Sequence, residues 1–144
     1  MEKKAQLQER AVQDFEASTT QLESIGAFVH GFFGQSGCCE SSLLFSLELI
    51  ASELATNIIR HAYSGQKHGV MRIELGIFPD RLEMCFEDFG KSFDPALVPE
   101  PDFENPQDGG RGLFIVHQLT SRLEYESREG RNSLLAVVPR KGDS

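Results

Sequence analysis

Glu53 and Asn57, in the stretch ELATNIIRHAYSG, are the first residues whose types and spacing suggest chemistry. At 100° per residue they lie one turn apart on a single edge of a helix whose buried stripe is Leu47, Ile50, Leu54 and Ile58. A carboxylate there can serve as a general base, and an amide oxygen beside it can ligate a hard cation such as magnesium. The plain alternative is a solvated Glu53 and an ordinary boundary residue at Asn57. The second candidate is Asp88, in FEDFGKSFDP. Leu82, Met84 and Phe86 alternate toward the core, so strict alternation carries Asp88 to the same side, unless the strand ends at Glu87 and Asp88 opens a turn. A carboxylate in that register needs donors, which the amino group of adenine would supply, and Gly90 would let backbone approach a flat ligand. The third is DGGRGLFIV, where Gly109, Gly110 and Gly112 precede an apolar helix start. Backbone N–H groups and a helix N-terminus converge there on a place for an anion, and Arg111 adds positive charge. A glycine-rich turn that only caps the helix is the alternative.

Other motifs fall away. No GK[ST] follows the glycines, so there is no Walker loop, and the G-x-G lacks the third glycine and preceding strand of a dinucleotide fingerprint. The DFG triplet stands without an HRD loop or a strand lysine motif, in a chain too short for the eukaryotic-type kinase fold. His30, His61, His68 and His117 lack H-E-x-x-H spacing, and GQSGC misses the nucleophile elbow by one glycine.

The elements that must position these residues follow from periodicity. A strand is predicted over 11–17 and a helix over 21–33, the latter opened by a Thr20/Glu23 capping box and carrying Phe28, Phe32 and Phe33 as core. A longer helix is predicted over 40–62, stopped by Ser64 and Gly65. Alternation of Met71, Ile73, Leu75 and Ile77, a Pro79-Asp80 turn, and a strand over 81–88 make a hairpin. Residues 94–110 carry prolines and little periodicity, and so form a long loop. A helix over 112–119 and strands over 123–127 and 133–138 complete the chain. The fold class is α+β, a two-layer sandwich with helices on one face of a mostly antiparallel sheet.

With 144 residues, 40% hydrophobic and 25% charged, the chain is sized for one globular domain. A net charge of -8 disfavours direct nucleic-acid binding and anionic membranes. Three cysteines, two of them adjacent, fit neither a disulfide framework nor a zinc site and imply a reducing, cytoplasmic setting. No apolar run is expected to approach the ~20 residues of a membrane span, and the N-terminus lacks the apolar core of a signal peptide.

Taken in chain order, an acid/amide helix, a strand-end aspartate with glycine, and a glycine-rich helix start resemble the GHKL ATPase superfamily. The ASELATNIIRHAY, FDP and GGRGLFIV segments are most similar to the anti-sigma factor serine/threonine kinases of bacterial partner-switching systems. The resemblance covers roughly residues 11–140 and implies one histidine kinase-like ATPase domain over 1–144, a mixed sheet, and an ATP lid at about 94–110. It implies that Glu53 is the catalytic base and Asn57 the magnesium ligand. It implies further that Asp88, Gly90, Phe93, Gly109, Gly110, Arg111, Gly112, Leu113 and Ser133 bind ATP together with Asn57. The partners it implies are an anti-sigma factor antagonist of STAS type, a sigma factor, and a second copy of the chain in a homodimer. The sequence departs from the family in two places: Ser92 stands at the second glycine of D-x-G-x-G, and the late G-T pair reads Asn132-Ser133. Those departures favour the alternative of an ATP-dependent protein-binding module without significant kinase activity.

Overall fold

The computed structural model describes residues 7–63, 69–91 and 111–140, with side chains from 114 onward in the last segment. The strands are β1 (Glu9–Glu16), β2 (Val70–Ile77), β3 (Arg81–Asp88), β4 (Arg122–Arg128) and β5 (Arg131–Pro139). The helices are α1 (Leu22–Ser36), α2 (Ser41–Asn57) and α3 (Arg111–Leu119). A short 3-10 turn, Thr19–Gln21, leads into α1, and a π-helical turn, Ile58–Ala62, continues α2.

The first helix does not open on the Thr20/Glu23 box. Ser18, in an extended conformation, accepts from the Thr20 N–H, and Gln21 at the start of α1 makes no side-chain cap. A serine two residues earlier reaches an N–H of the 3-10 turn, which moves the cap upstream. At the other end, Gly34 does not stop the helix. The chain turns only at Gly37, whose φ of 72° is the left-handed conformation that favours glycine.

The five strands run in the order β1-β2-β3-β5-β4. Every neighbouring pair is antiparallel, so the mostly antiparallel sheet expected from periodicity has no parallel pair among the described residues. The connection through α3 leaves β3 and β4 running the same way, but β5 lies between them. Alternation sorts the faces. Phe15, Met71, Ile73, Leu75, Leu82, Met84, Phe86, Leu134, Ala136 and Val138 are buried against Ile25, Val29 and Phe33 of α1 and Leu47, Ile50, Ala51 and Leu54 of α2 in one core. At ~25 cal/mol per Å² of apolar surface removed from water, this shared core is the main source of stability. The opposite face of the sheet carries exposed cross-strand ion pairs, Arg10 with Glu74 and Arg72 with Asp14, which contribute little each. By length and composition the continuous helical run Ser41–Ala62 could cross a membrane, yet its apolar side is part of this core.

The junction of α2 with the sheet is held by hydrogen bonds and a close backbone approach. The π turn is closed by the Tyr63 N–H donating to the Ile58 carbonyl at 3.3 Å, an i to i+5 bond. Tyr63, 5% exposed, then donates its hydroxyl to the Val70 carbonyl and accepts the Phe89 N–H, both at 2.7 Å. The Lys91 N–H donates to the Ala62 carbonyl at 2.7 Å. Gly90 sits so close beneath this turn that a Cβ would lie 2.2 Å from the Ala62 oxygen.

Tyr63→Phe keeps the ring but leaves the Val70 carbonyl and Phe89 N–H unpaired, and should cost about 1–3 kcal/mol. The loss should appear as a lower urea midpoint at unchanged slope; an unaltered midpoint would show that the clamp is not stabilising.

Candidate functional site

The candidate residues of α2 and β3 meet at this junction. Asn57 and Asp88 line one cleft together with Leu54, Ile58, Ala62, Lys91, Tyr125 and Leu134. Asn57 is half-buried and donates its Nδ2 to the Glu53 carbonyl at 2.7 Å. That bond fixes the amide orientation, so Oδ1 is the atom left to accept from or ligate a guest. Glu53, also half-buried, lies one turn earlier on the same helix edge.

Asp88 occupies the inward register that alternation predicts and is 5% exposed. Its Oδ1 accepts the Asn132 Nδ2 at 2.8 Å and the Gly90 N–H at 3.0 Å. Its Oδ2 has no hydrogen-bond partner among the described residues. Burial pushes the Asp88 carboxyl above the usual carboxylate range, and the Asn132 and Gly90 donors act against that rise.

Asn132 was absent from the site predicted from sequence, yet it organises this end of the sheet. It is 2% exposed and makes all four bonds its amide allows. Nδ2 donates to Asp88 Oδ1 and to the Gly90 carbonyl at 3.0 Å, while Oδ1 accepts from Ser127 at 2.7 Å and Tyr125 at 3.1 Å. Register explains the cluster, because Asp88, Asn132 and Ser127 are direct cross-strand partners on β3, β5 and β4. Ser133, the hydroxyl assigned to the pocket, faces away from it. It pairs with Glu87 on the outer face and sits 3.4 Å from the Cys85 sulfur, so the inward position belongs to Asn132. Gly90 also has a different physical reason from the one expected: the Ala62 carbonyl fills the space a side chain would need. Arg111, Gly112 and Leu113 form the first turn of α3, while Phe93, Gly109, Gly110 and the expected lid over 94–110 lie outside the described residues.

Comparison with known proteins settles the family. A model of the histidine kinase-like ATPase domain matches residues 15–138. The chain belongs to that family. Among curated relatives, the serine-protein kinase RsbW of Bacillus subtilis is 32% identical over 92 residues, and that of Listeria innocua 34% over 93. The matched segment spans 58% of this chain in both cases, and 58% and 59% of those relatives' own length. The structure of the RsbU and RsbW domains of Rv1364c from Mycobacterium tuberculosis superposes with a TM-score of 0.61 at 15% identity, covering 94% of this chain and 34% of that one. A histidine kinase domain from Erythrobacter litoralis superposes at 0.53 with 20% identity, covering 84% of this chain and 60% of the other. These two likenesses concern the fold.

The raised Asp88 pKa has a definite sign. Its contribution to stability is fully present below the ordinary aspartate range and is lost as pH rises through the folded-state value. Asp88→Asn keeps an oxygen for the Asn132 and Gly90 donors but cannot ionise. Thermal denaturation should therefore show the variant's advantage over the parent growing as pH rises from about 4 to 7; a gap constant with pH would mean that Asp88 carries no desolvation burden.

Proposed function

We propose that this histidine kinase-like ATPase domain is an ATP- and magnesium-dependent protein-serine/threonine kinase. Its substrate would be an anti-sigma factor antagonist, and it would sequester a sigma factor when that antagonist is phosphorylated. The single observation that carries the reading is the cleft lined by both Asn57 and Asp88, inside a family whose curated relatives include serine-protein kinases.

The residues present fit the groups this reading requires. Asp88 Oδ2, held in place through its Oδ1, accepts from the exocyclic amine of adenine. Asn57 Oδ1 offers one neutral oxygen, which suits magnesium because that ion takes few protein ligands and completes its octahedron with waters and substrate phosphates. Bound together, ATP and magnesium supply the phosphoryl group and neutralise its charge during transfer. Glu53, on the same helix edge, takes the proton from the partner's serine or threonine hydroxyl. Leu54, Ile58 and Leu134 form the apolar wall against which the base lies. Phosphorylation adds about -1.5 to -2 charge to the antagonist and weakens its contact with a chain of net charge -8.

A reading without transfer is favoured, beside the Ser92 and Asn132 departures, by Asn132 fixing Asp88 from within the sheet, a rigid arrangement suited to holding nucleotide. Two variants separate the readings. Glu53→Ala should retain ATP binding and lower transfer of labelled phosphate to the antagonist by about 100-fold or more. Asn57→Ala should abolish the magnesium-dependent part of ATP binding in calorimetry. Undiminished transfer by the Glu53 variant would refute the base assignment, and no label on any antagonist would favour docking alone.

A further inference from the structure

The connection between α1 and α2 carries chemistry that the nucleotide site does not use. Gly37 ends α1 in a left-handed conformation, Cys38 and Cys39 follow, and Glu40 occupies the N-cap of α2. In extended chain, neighbouring side chains point to opposite sides. Here the turn brings both to the same side, with the sulfurs 2.9 Å apart. The Cys38 N–H donates to Ser36 Oγ at 3.2 Å, and that hydroxyl donates to the Phe33 carbonyl at 2.7 Å, which ties the pair to the last turn of α1. Both thiols are free and half-buried. Cys38 also lines an open groove with Glu40, Ser42, Leu43, Ser46 and Pro139. Cys85 lies on the outer face of β3 beside Ser133 and takes no part.

We propose that Cys38 and Cys39 form a redox-reactive vicinal dithiol that hydroperoxides convert reversibly to a disulfide. Cys38, and not Cys39, lines the groove, so Cys38 is the sulfur that meets the peroxide first, and burial, reinforced by Cys38, pushes the Cys39 thiol up to about 12. The Cys38 thiolate attacks the peroxide: an S–O bond forms, the O–O bond breaks, and the departing alkoxide takes a proton to become an alcohol. Cys39 sulfur then attacks Cys38 sulfur. The S–S bond forms, the S–O bond breaks, and hydroxide leaves with the Cys39 proton as water. Two thiols and one hydroperoxide give one disulfide, one alcohol and one water, and the sulfurs together lose two electrons. The small ring closed through the Cys38–Cys39 peptide is strained, which makes the bridge readily reducible by thiols, as regulatory disulfides are. Asn57 lies at the far end of α2, so this reading stands independently of the nucleotide site.

The test treats the reduced full chain with cumene hydroperoxide. Intact mass should fall by about 2 Da, and two of the three thiols should disappear from titration and return with dithiothreitol. The loss should map to tryptic peptide 11–60, which holds both cysteines, and leave peptide 82–91 with Cys85 unchanged. Cys39→Ser should trap a sulfenic acid on Cys38 that reacts with dimedone, and Cys38→Ser should abolish the mass loss. Oxygen adducts or covalent dimers in place of the internal bridge, or a mass loss that survives Cys38→Ser, would overturn the proposal.

Discussion

The site depends on one mechanical constraint: the end of the long helix is bolted to the end of the central strand. Ala62 and Tyr63 take the N–H groups of Lys91 and Phe89, and Tyr63 holds the Val70 carbonyl on the neighbouring strand. Each bond contributes only about 0.5–1.5 kcal/mol net, but all act on the same few residues. They fix the distance and angle between Asn57, five residues before the clamp on α2, and Asp88, immediately before it on β3. Gly90 is part of this constraint, because any side chain would drive the strand away from the helix.

The π turn is the local means to that end. Its i to i+5 bond widens the winding after Asn57, and the Ala62 carbonyl at its end accepts the Lys91 N–H. A buried polar row then completes the pocket floor. Asp88 stands in an unfavourable environment, and Asn132 supports it with an amide satisfied at every position. An amide so completely engaged fixes the carboxylate oxygen it holds even while burial works against the carboxylate's charge.

Much of the arrangement was legible in the sequence, for identifiable physical reasons. The alternation of Leu82, Met84 and Phe86 continued through Asp88 without a break, and the three-and-four spacing of Leu47, Ile50, Leu54 and Ile58 put Asn57 beside the buried stripe. Asn132 is missing from the site read from sequence because that reading starts the last strand at Ser133 and puts Asn132 in the turn before it. Counting back by twos from Val138, Ala136 and Leu134 leads directly to Asn132 and puts Ser133 on the outer face. A buried amide among apolar neighbours looks like a loop residue until register is known. The π turn had no warning either, since its residues IIRHA satisfy a helical pattern and the wider winding is imposed by the strand it meets.

The strand order has a consequence for how the protein comes into being. Because β5 inserts between β3 and β4, the partners Asp88 and Asn132 are 44 residues apart in the chain. Ribosomal synthesis delivers β1, β2, β3 and both long helices first, leaving β3 as an unpaired edge with an uncompensated acid at its tip. Closing the intervening segment is an entropic barrier met before any of that hydrogen bonding is gained. The pocket floor is thus among the last parts to form, and an unfinished chain has no competent place for a nucleotide.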